Sequence, residues 1–450
     1  MKLPTDPAVA RALVALTPPT ESLLGMVASF RDAMAGGLAG RPSSLRMLPT
    51  FVDQPRGDER GAAAVADWGG THGRVSLVEL GGRGRSRVLA EDVFVFSGED
   101  KSGPASRVFD VIASAVERVV GDEAGEDSGG PLPLGFAYSF PARLERIDRA
   151  FALPLTKGWS LAGLEGEDVA GLLEAALRRR GLGRVRVSAV ANDTVAALAL
   201  ASYRARGRDA AARPAEVGLI VGTGTNQAAD LPGHGIRNLE SGNFDGVGDV
   251  TTAWDAALDR ELADPPPGAQ RFEKMVAGRY LGEILRRIVE DLGRSTSLFR
   301  WPASALGAPF GLDSAQLSTM AGDRSDARSG ADAVLRGLGI ASTRAERRAL
   351  GDLARGVARR AARLIAAGLL GTLTFIDRDL ASGHTIAVDG SLYGGYPGFD
   401  RLVRDGFREL AGAERARRLR LAYVKDSTGA GAAVIAAVAA TSARPRPPSA

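Results

Sequence analysis

Apolar positions along this chain alternate between strand and helix spacing from end to end, which predicts an α/β protein. The stretch Val65–Val78 reads VADWGGTHGRVSLV. An apolar run enters a Gly-Gly turn and an alternating run leaves it, the outline of two strands joined by a tight turn. A third strand is expected near Val88–Phe96. From Arg107 to Val120, apolar residues at Val108, Phe109, Ile112, Val116, Val119 and Val120 keep helical spacing, with Gly121 as the stop. A strand over Leu134–Phe140 ends at Pro141. Gly166–Arg180 reads as an amphipathic helix closed by three arginines and Gly181.

Further strands are expected at Val185–Ala191, Glu216–Val221, Thr385–Val388 and Leu419–Val424. Helices are expected over residues 7–35, from Thr194 to about Tyr203, and over Phe272–Leu292, Thr343–Leu369 and Gly429–Ala440. Residues 295–335 read as irregular with short helical pieces. The acidic, glycine-rich segment Asp122–Gly130 and the proline-rich tail read as a loop and a disordered end.

Length and composition narrow the class. A chain of 450 residues suits about two or three domains. Its 45% hydrophobic content supports a large core, and the net charge of +4 is small. Basic residues are mostly arginines interleaved with acids, so no block of the kind that tracks nucleic acid is present. The chain has no cysteine, which excludes disulfides, thiolate metal sites and cysteine nucleophiles. The N-terminal apolar patch is broken by prolines, and the apolar run Leu364–Ile376 is too short to span a bilayer. These features predict a cytoplasmic protein with no membrane or nucleic-acid partner.

Two glycine turns carry candidate chemistry. The first is Asp67-Trp68-Gly69-Gly70-Thr71. Adjacent glycines let backbone approach a bulky ligand, and successive N–H groups can face an anion. Asp67, at a strand end, could hold a hydrated cation. An ordinary hairpin is the alternative. The second turn is Gly222-Thr223-Gly224-Thr225-Asn226, about one domain length further on. Together they suggest two related halves offering phosphate-binding turns to a shared cleft.

Set side by side in chain order, these stretches resemble the hexokinase family of the actin-like ATPase superfamily. The resemblance is carried by Asp67-x-Gly-Gly-Thr-x-x-Arg74, Tyr138-Ser139-Phe140-Pro141, Leu155-Thr156-Lys157-Gly158 and Ala191-Asn192-Asp193-Thr194. It continues through Val221-Gly222-Thr223-Gly224-Thr225-Asn226, Asn238-Leu239-Glu240, Phe272-Glu273-Lys274, Val388-Asp389-Gly390-Ser391 and Gly429-Ala430-Gly431.

The resemblance implies a two-domain actin-like ATPase (ribonuclease H-like) fold with mixed sheets around a cleft. The small domain would cover 61–193, possibly with the C-terminal helix 429–440. The large domain would cover 1–60 and 194–438, with 441–450 a disordered tail. The implied activity is ATP-dependent phosphorylation of the 6-hydroxyl of a hexose, with glucose first. Mannose, fructose or an amino sugar is the alternative acceptor, and a hexose sensor with weak transfer is a second alternative.

Phosphoryl transfer needs positioning, charge neutralisation and a base near the hydroxyl. Asp193 is the candidate base, with a helix cap as its alternative role. By the resemblance, Ser139, Phe140, Pro141, Thr156, Lys157, Asn192, Asp193, Asn226, Glu240 and Glu273 hold the sugar, and Lys157 also clamps charge. Asp67, Gly69, Gly70, Thr71, His72 and Arg74 form the first ATP element, and Gly222, Thr223 and Gly224 the second. Asp389, Gly390, Ser391, Thr428 and Gly429 lie on the adenosine side. Mg²⁺ is held by phosphates and water, with Asp67 reaching it through water. A tightly packed helix start is the alternative for Gly429-Ala430-Gly431.

The chain departs from the family at four places. His72 stands where asparagine is usual, and Gly73 where phenylalanine is usual. Ser241 stands where tryptophan is common, and Gln227-Ala228-Ala229 replaces a polar-aromatic run.

Overall fold

The computed structural model describes residues 6–69, 72–121, 130–155, 158–302, 305–306 and 308–442. Its strands are β1 (Leu48–Pro49), β2 (Arg60–Trp68), β3 (His72–Gly82), β4 (Arg85–Val95), β5 (Leu132–Tyr138), β6 (Ala142–Arg146), β7 (Arg149–Ala152), β8 (Val185–Ala191), β9 (Val217–Val221), β10 (Thr225–Leu231), β11 (Gly235–Asn238), β12 (His384–Asp389) and β13 (Leu419–Tyr423). One sheet has the order β4-β3-β2-β5-β8 and the other β1-β11-β10-β9-β12-β13; β6 and β7 form a separate hairpin.

Leaving out the short β1, the two sheets repeat one topology. Each begins with an antiparallel hairpin, β2–β3 in one and β9–β10 in the other. Each adds a third antiparallel strand and then two parallel strands on the opposite side. The two glycine turns expected from sequence are the two hairpin turns, in equivalent places.

The helices that follow the last strand of each sheet cross over. Helix Asp193–Arg208 follows β8 yet packs on β9, β10 and β12, whereas helix Ser427–Ser442 follows β13 and packs on β2, β5 and β8. The two helices also pack on each other, joining both sheets into one alanine-rich core layer. Small residues make this possible. A Cβ on Gly431 would lie 2.1 Å from the Ala196 carbonyl oxygen, and one on Gly218 would lie 2.2 Å from that of Thr194. Backbone fills the space that any side chain would need.

Two helical expectations change in detail. The expected helix over 7–35 is two helices, Pro7–Ala15 and Thr20–Leu38, because Pro18 and Pro19 interrupt it. The stretch Pro7–Leu38 is long and apolar enough to cross a membrane by length and composition. Leu23, Met26, Val27, Phe30 and Met34 of its second helix are instead buried in the core around helix Arg344–Ile376. The expected helix Phe272–Leu292 breaks at Ala277 into Arg271–Val276 and Gly278–Ser295. The freed N–H groups of Gly278 and Arg279 bind the carbonyls of Gly222 and Thr223 at 2.7 and 3.2 Å. A tertiary demand from the second glycine turn therefore sets this break. The segment 122–129 and the tail 443–450 lie outside the described residues.

Candidate active site

A cleft of about 1380 Å³ opens between the two hairpin turns. On the first-turn side it is lined by Asp67, Gly69, His72 and Arg74. Thr223, Gly224 and Glu273 line it on the second-turn side, and Asp389, Gly390, Ser391, Thr428 and Gly429 on a third. Asp193 faces the same space. The structure thus brings these residues to one cavity with the candidate base, whereas Gly222 and the sugar candidates Ser139, Phe140, Pro141, Asn192, Asn226 and Glu240 do not line it. Gly70, Thr71, Thr156 and Lys157 lie outside the described residues.

Local chemistry places Asp193. Asn192 is the N-cap of helix Asp193–Arg208, its side-chain oxygen accepting the Thr194 N–H at 3.0 Å. Asp193 holds the first helical position, where it accepts the same N–H at 2.8 Å. The capping role weighed for Asp193 therefore belongs first to Asn192, and the Asp193 carboxylate is half-buried at the cleft wall.

A chain of amide contacts runs outward from that cap. The Asn226 amide donates to Asn192 at 3.3 Å and to Asn238 at 2.8 Å. The Asn238 amide donates to Glu240 at 2.8 Å. Glu240 itself adopts left-handed backbone, φ 54°, a conformation a non-glycine residue keeps only when its surroundings hold it there. Glu273 accepts the Thr225 N–H at 2.8 Å, which fastens it to the second glycine turn. Ser139 donates its N–H to the Trp68 carbonyl at 3.3 Å, linking the Ser139-Phe140-Pro141 segment to the first. Phe140 is buried: its ring packs on Trp68, Tyr138 and Trp159 in an aromatic cluster beneath that turn.

Two glycines that line the cleft let neighbouring protein atoms approach too closely for any side chain. A Cβ on Gly224 would lie 2.7 Å from a Glu273 carboxylate oxygen, and one on Gly390 would lie 2.3 Å from the Val221 carbonyl. Gly429, by contrast, has open space around it and borders the cleft, whereas Gly431 is the helix-packing glycine. Of this trio, only Gly431 matches the tightly packed helix start. Asp389 accepts the N–H and hydroxyl of Ser427 at 2.6 and 2.7 Å, fixing the start of the C-terminal helix beside Thr428 and Gly429.

The departures acquire physical reasons. Gly73 pairs with Phe94 across β3 and β4. A Cβ at residue 73 would lie 2.3 and 2.4 Å from Phe94 ring atoms and 3.0 Å from Phe96, so Phe94 occupies the space that a side chain at 73 would fill. Gln227 is buried and accepts the Thr372 hydroxyl at 2.8 Å, making it a core residue. Ser241 is fully buried, with its N–H on the Asn226 side chain at 3.0 Å. His72 is exposed at the cleft rim.

Sequence reasoning missed several cleft residues. Arg279 lines the cavity with its guanidinium over the rings of Tyr280 and Phe310, 5.6 Å from each. Lys425, Gln270 and Tyr423 also line it. Lys425 was detectable: lysine is rare in this chain, the same signal that singled out Lys157. Arg279 carried no such signal, because arginines are abundant.

Comparison with known proteins follows the same outline. Two family models described as hexokinase match residues 8–203 and 216–438. Hexokinase-1 of Oryza sativa subsp. japonica is 36% identical over 458 residues, covering 95% of this chain and 90% of that protein. Hexokinase-3 of Rattus norvegicus is 35% identical over 93% of this chain, which spans 46% of that protein. Among solved structures, a crystal structure of hexokinase superposes with a TM-score of 0.83 at 28% identity, covering 96% of this chain and 98% of that one. A hexokinase from Schistosoma mansoni complexed with glucose gives 0.80 at 29% identity, with coverage of 95% and 98%.

Proposed function

The chain belongs to the hexokinase family and is an ATP-dependent hexose kinase; from that premise we propose that Asp193 is its general base and glucose its first acceptor. One observation carries the assignment: Asp193 sits at the first position of a helix already capped by Asn192, and faces the cleft that both glycine turns line. In the reaction, the 6-hydroxyl attacks the terminal phosphorus as the bond to the leaving ADP breaks, and the Asp193 carboxylate accepts the hydroxyl proton. Asn192, Asn226, Glu240 and Glu273, with Ser139, the Phe140 backbone, Pro141, Thr156 and Lys157, hold the sugar, each buried hydroxyl needing a partner. Lys157 also balances charge on the transferring group. A hexokinase complexed with glucose among the similar structures supports glucose as the acceptor.

Arg74, Thr223, Ser391 and Thr428 line the cleft together with Gly224, Gly390 and Gly429, and their positive charge, hydroxyls and turn N–H groups fit a nucleotide polyphosphate. Among the described residues no cluster of three or more His, Asp or Glu forms a metal cage. Asp67 would hold a Mg²⁺ ion there through water, and the ion would supply neutralising charge. We assign 61–193, with the C-terminal helix packed on its sheet, to a small domain and the rest to a large one, closing on the sugar to exclude water. Loss of compaction on saturating sugar in small-angle scattering would count against closure.

Because helix Thr20–Leu38 spends its apolar side chains on the core, we place the enzyme in the cytoplasm. Cell fractionation tests this, since one similar protein is described as chloroplastic.

The decisive experiment is Asp193→Ala assayed with glucose, mannose, fructose and glucosamine. Turnover should fall by roughly 10²–10⁴-fold while calorimetry still detects weakened sugar binding. Near-normal turnover overturns the base assignment, and a faster acceptor than glucose overturns the choice of sugar.

A further inference from the structure

Outside the cleft, a groove of about 850 Å³ is formed by the last turns of helix Asp193–Arg208, the loop that follows, and strands β12 and β13. Its floor is small and apolar, built from Ala201, Ala205, Ala212, Leu421 and Ala422. Its rim carries Arg204, Arg208, Arg213, Arg417, Arg418 and Arg420, and no carboxylate lines it.

Some arginines elsewhere on this surface meet acids, while others, such as Arg41, Arg83, Arg260 and Arg300, stand singly without a carboxylate partner among the described residues. Arg179 pairs with Asp110 at 2.6 Å, Arg287 with Glu261 at 2.9 Å and Arg336 with Asp332 at 2.6 Å. In the groove, Arg418 alone of the six has a carboxylate partner among the described residues, Glu414 at 2.8 Å. The other nearby acids, Glu216 and Asp377, are engaged by His384 at 2.6 and 3.2 Å. Arg204 is half-buried, and its burial together with the like charge of Arg208 presses its guanidinium below the usual range. A cation in the last turn of a helix is favourable by itself, which accounts for Arg208. It does not account for Arg213 and Arg420, which lie in a loop and in a strand; Arg417 stands at the end of the short helix Ala413–Ala416.

We propose that this groove binds a small organic polyphosphate. Guanidinium groups pair with phosphate oxygens through two parallel hydrogen bonds. Five arginines without carboxylate partners exceed what one phosphate engages, so the ligand carries several. The alanine floor accepts a compact carbon body, and the volume falls within that of small-molecule sites, on the order of 300–1,000 Å³. Tyr423 borders both this groove and the cleft, so the ligand sits one strand away from the nucleotide site.

The test uses the full chain with its cleft filled by ADP and glucose, titrated calorimetrically with inositol hexakisphosphate at about 0.15 M salt. Saturable one-site uptake is expected. Arg417→Gln/Arg420→Gln, and separately Arg204→Gln, should each weaken it by at least about ten-fold. Turnover of glucose without the probe should stay within about two-fold of wild type in both variants. Equal affinity in wild type and variants, or uptake that does not saturate, overturns the proposal. So does tighter binding of a single-stranded oligonucleotide than of the probe at the same salt, which would mark a nucleic-acid surface instead.

Discussion

The exchange of bulk between Gly73 and Phe94 predicts a measurable coupling. Gly73→Ala places a Cβ 2.3, 2.4 and 3.0 Å from three ring carbons, where ordinary contacts lie at about 3.5–4.0 Å. The two nearest atoms belong to the far end of the Phe94 ring, which is half-buried and can swing outward; the third belongs to Phe96. The cost should therefore sit at the lower half of the overpacking range, about 1–2 kcal/mol. Phe94→Ala alone should cost about 2 kcal/mol, below the value for a fully buried phenylalanine. With Phe94 truncated only the 3.0 Å contact with the Phe96 ring remains, and Gly73→Ala in a strand interior becomes about neutral. The coupling energy is then about 1–2 kcal/mol in favour of the double variant. Urea denaturation of wild type, both single variants and the double variant reads it directly. Additive effects, within about 0.5 kcal/mol, would refute the exchange.

Three other outcomes follow from the same contacts. His72→Asn should change the KM for ATP by about three-fold or more if the exposed ring meets phosphate; an unchanged KM makes His72 a turn residue. The buried pair of Arg360 with Asp255, at 3.0 and 2.5 Å, should make Arg360→Met cost about 3–5 kcal/mol in chemical denaturation, because it strands a buried carboxylate; a loss below about 1 kcal/mol would contradict that reading. His384 is held above the ordinary histidine value chiefly by its hydrogen bond to Glu216, opposed by burial and assisted by Asp377. A raised folded value means its contribution is complete below about pH 6.5 and fades as pH climbs through the folded value. The stability gap between wild type and His384→Gln should therefore narrow as pH rises above about 6.5, and a gap that widens would reverse the assignment.

Much of the fold was legible where local pattern and tertiary role agree. Strand Val185–Ala191 is as expected, because apolar β-branched residues bounded by a cap signal leave little alternative. The repeat of two halves was visible only as two glycine turns; the shared strand order of the sheets became apparent once pairing was known. Helix Gly278–Ser295 marks the limit from the other side. Its periodicity continues smoothly from Phe272, yet the chain breaks at Ala277 to hand two N–H groups to the glycine turn.

The sequence by itself determined the class, the family and the residue types available for phosphoryl transfer, because those depend on short motifs whose local geometry is set by glycines, caps and strand ends. The tertiary structure decided which of them meet. It drew Arg279 and Lys425 into the cleft, sent the Phe140 ring into the core and gave the cap to Asn192. It also divided Gly429 from Gly431, one open to the cleft and the other pressed against a neighbouring helix. Such outcomes depend on contacts between residues far apart in the chain, and no local spacing encodes them.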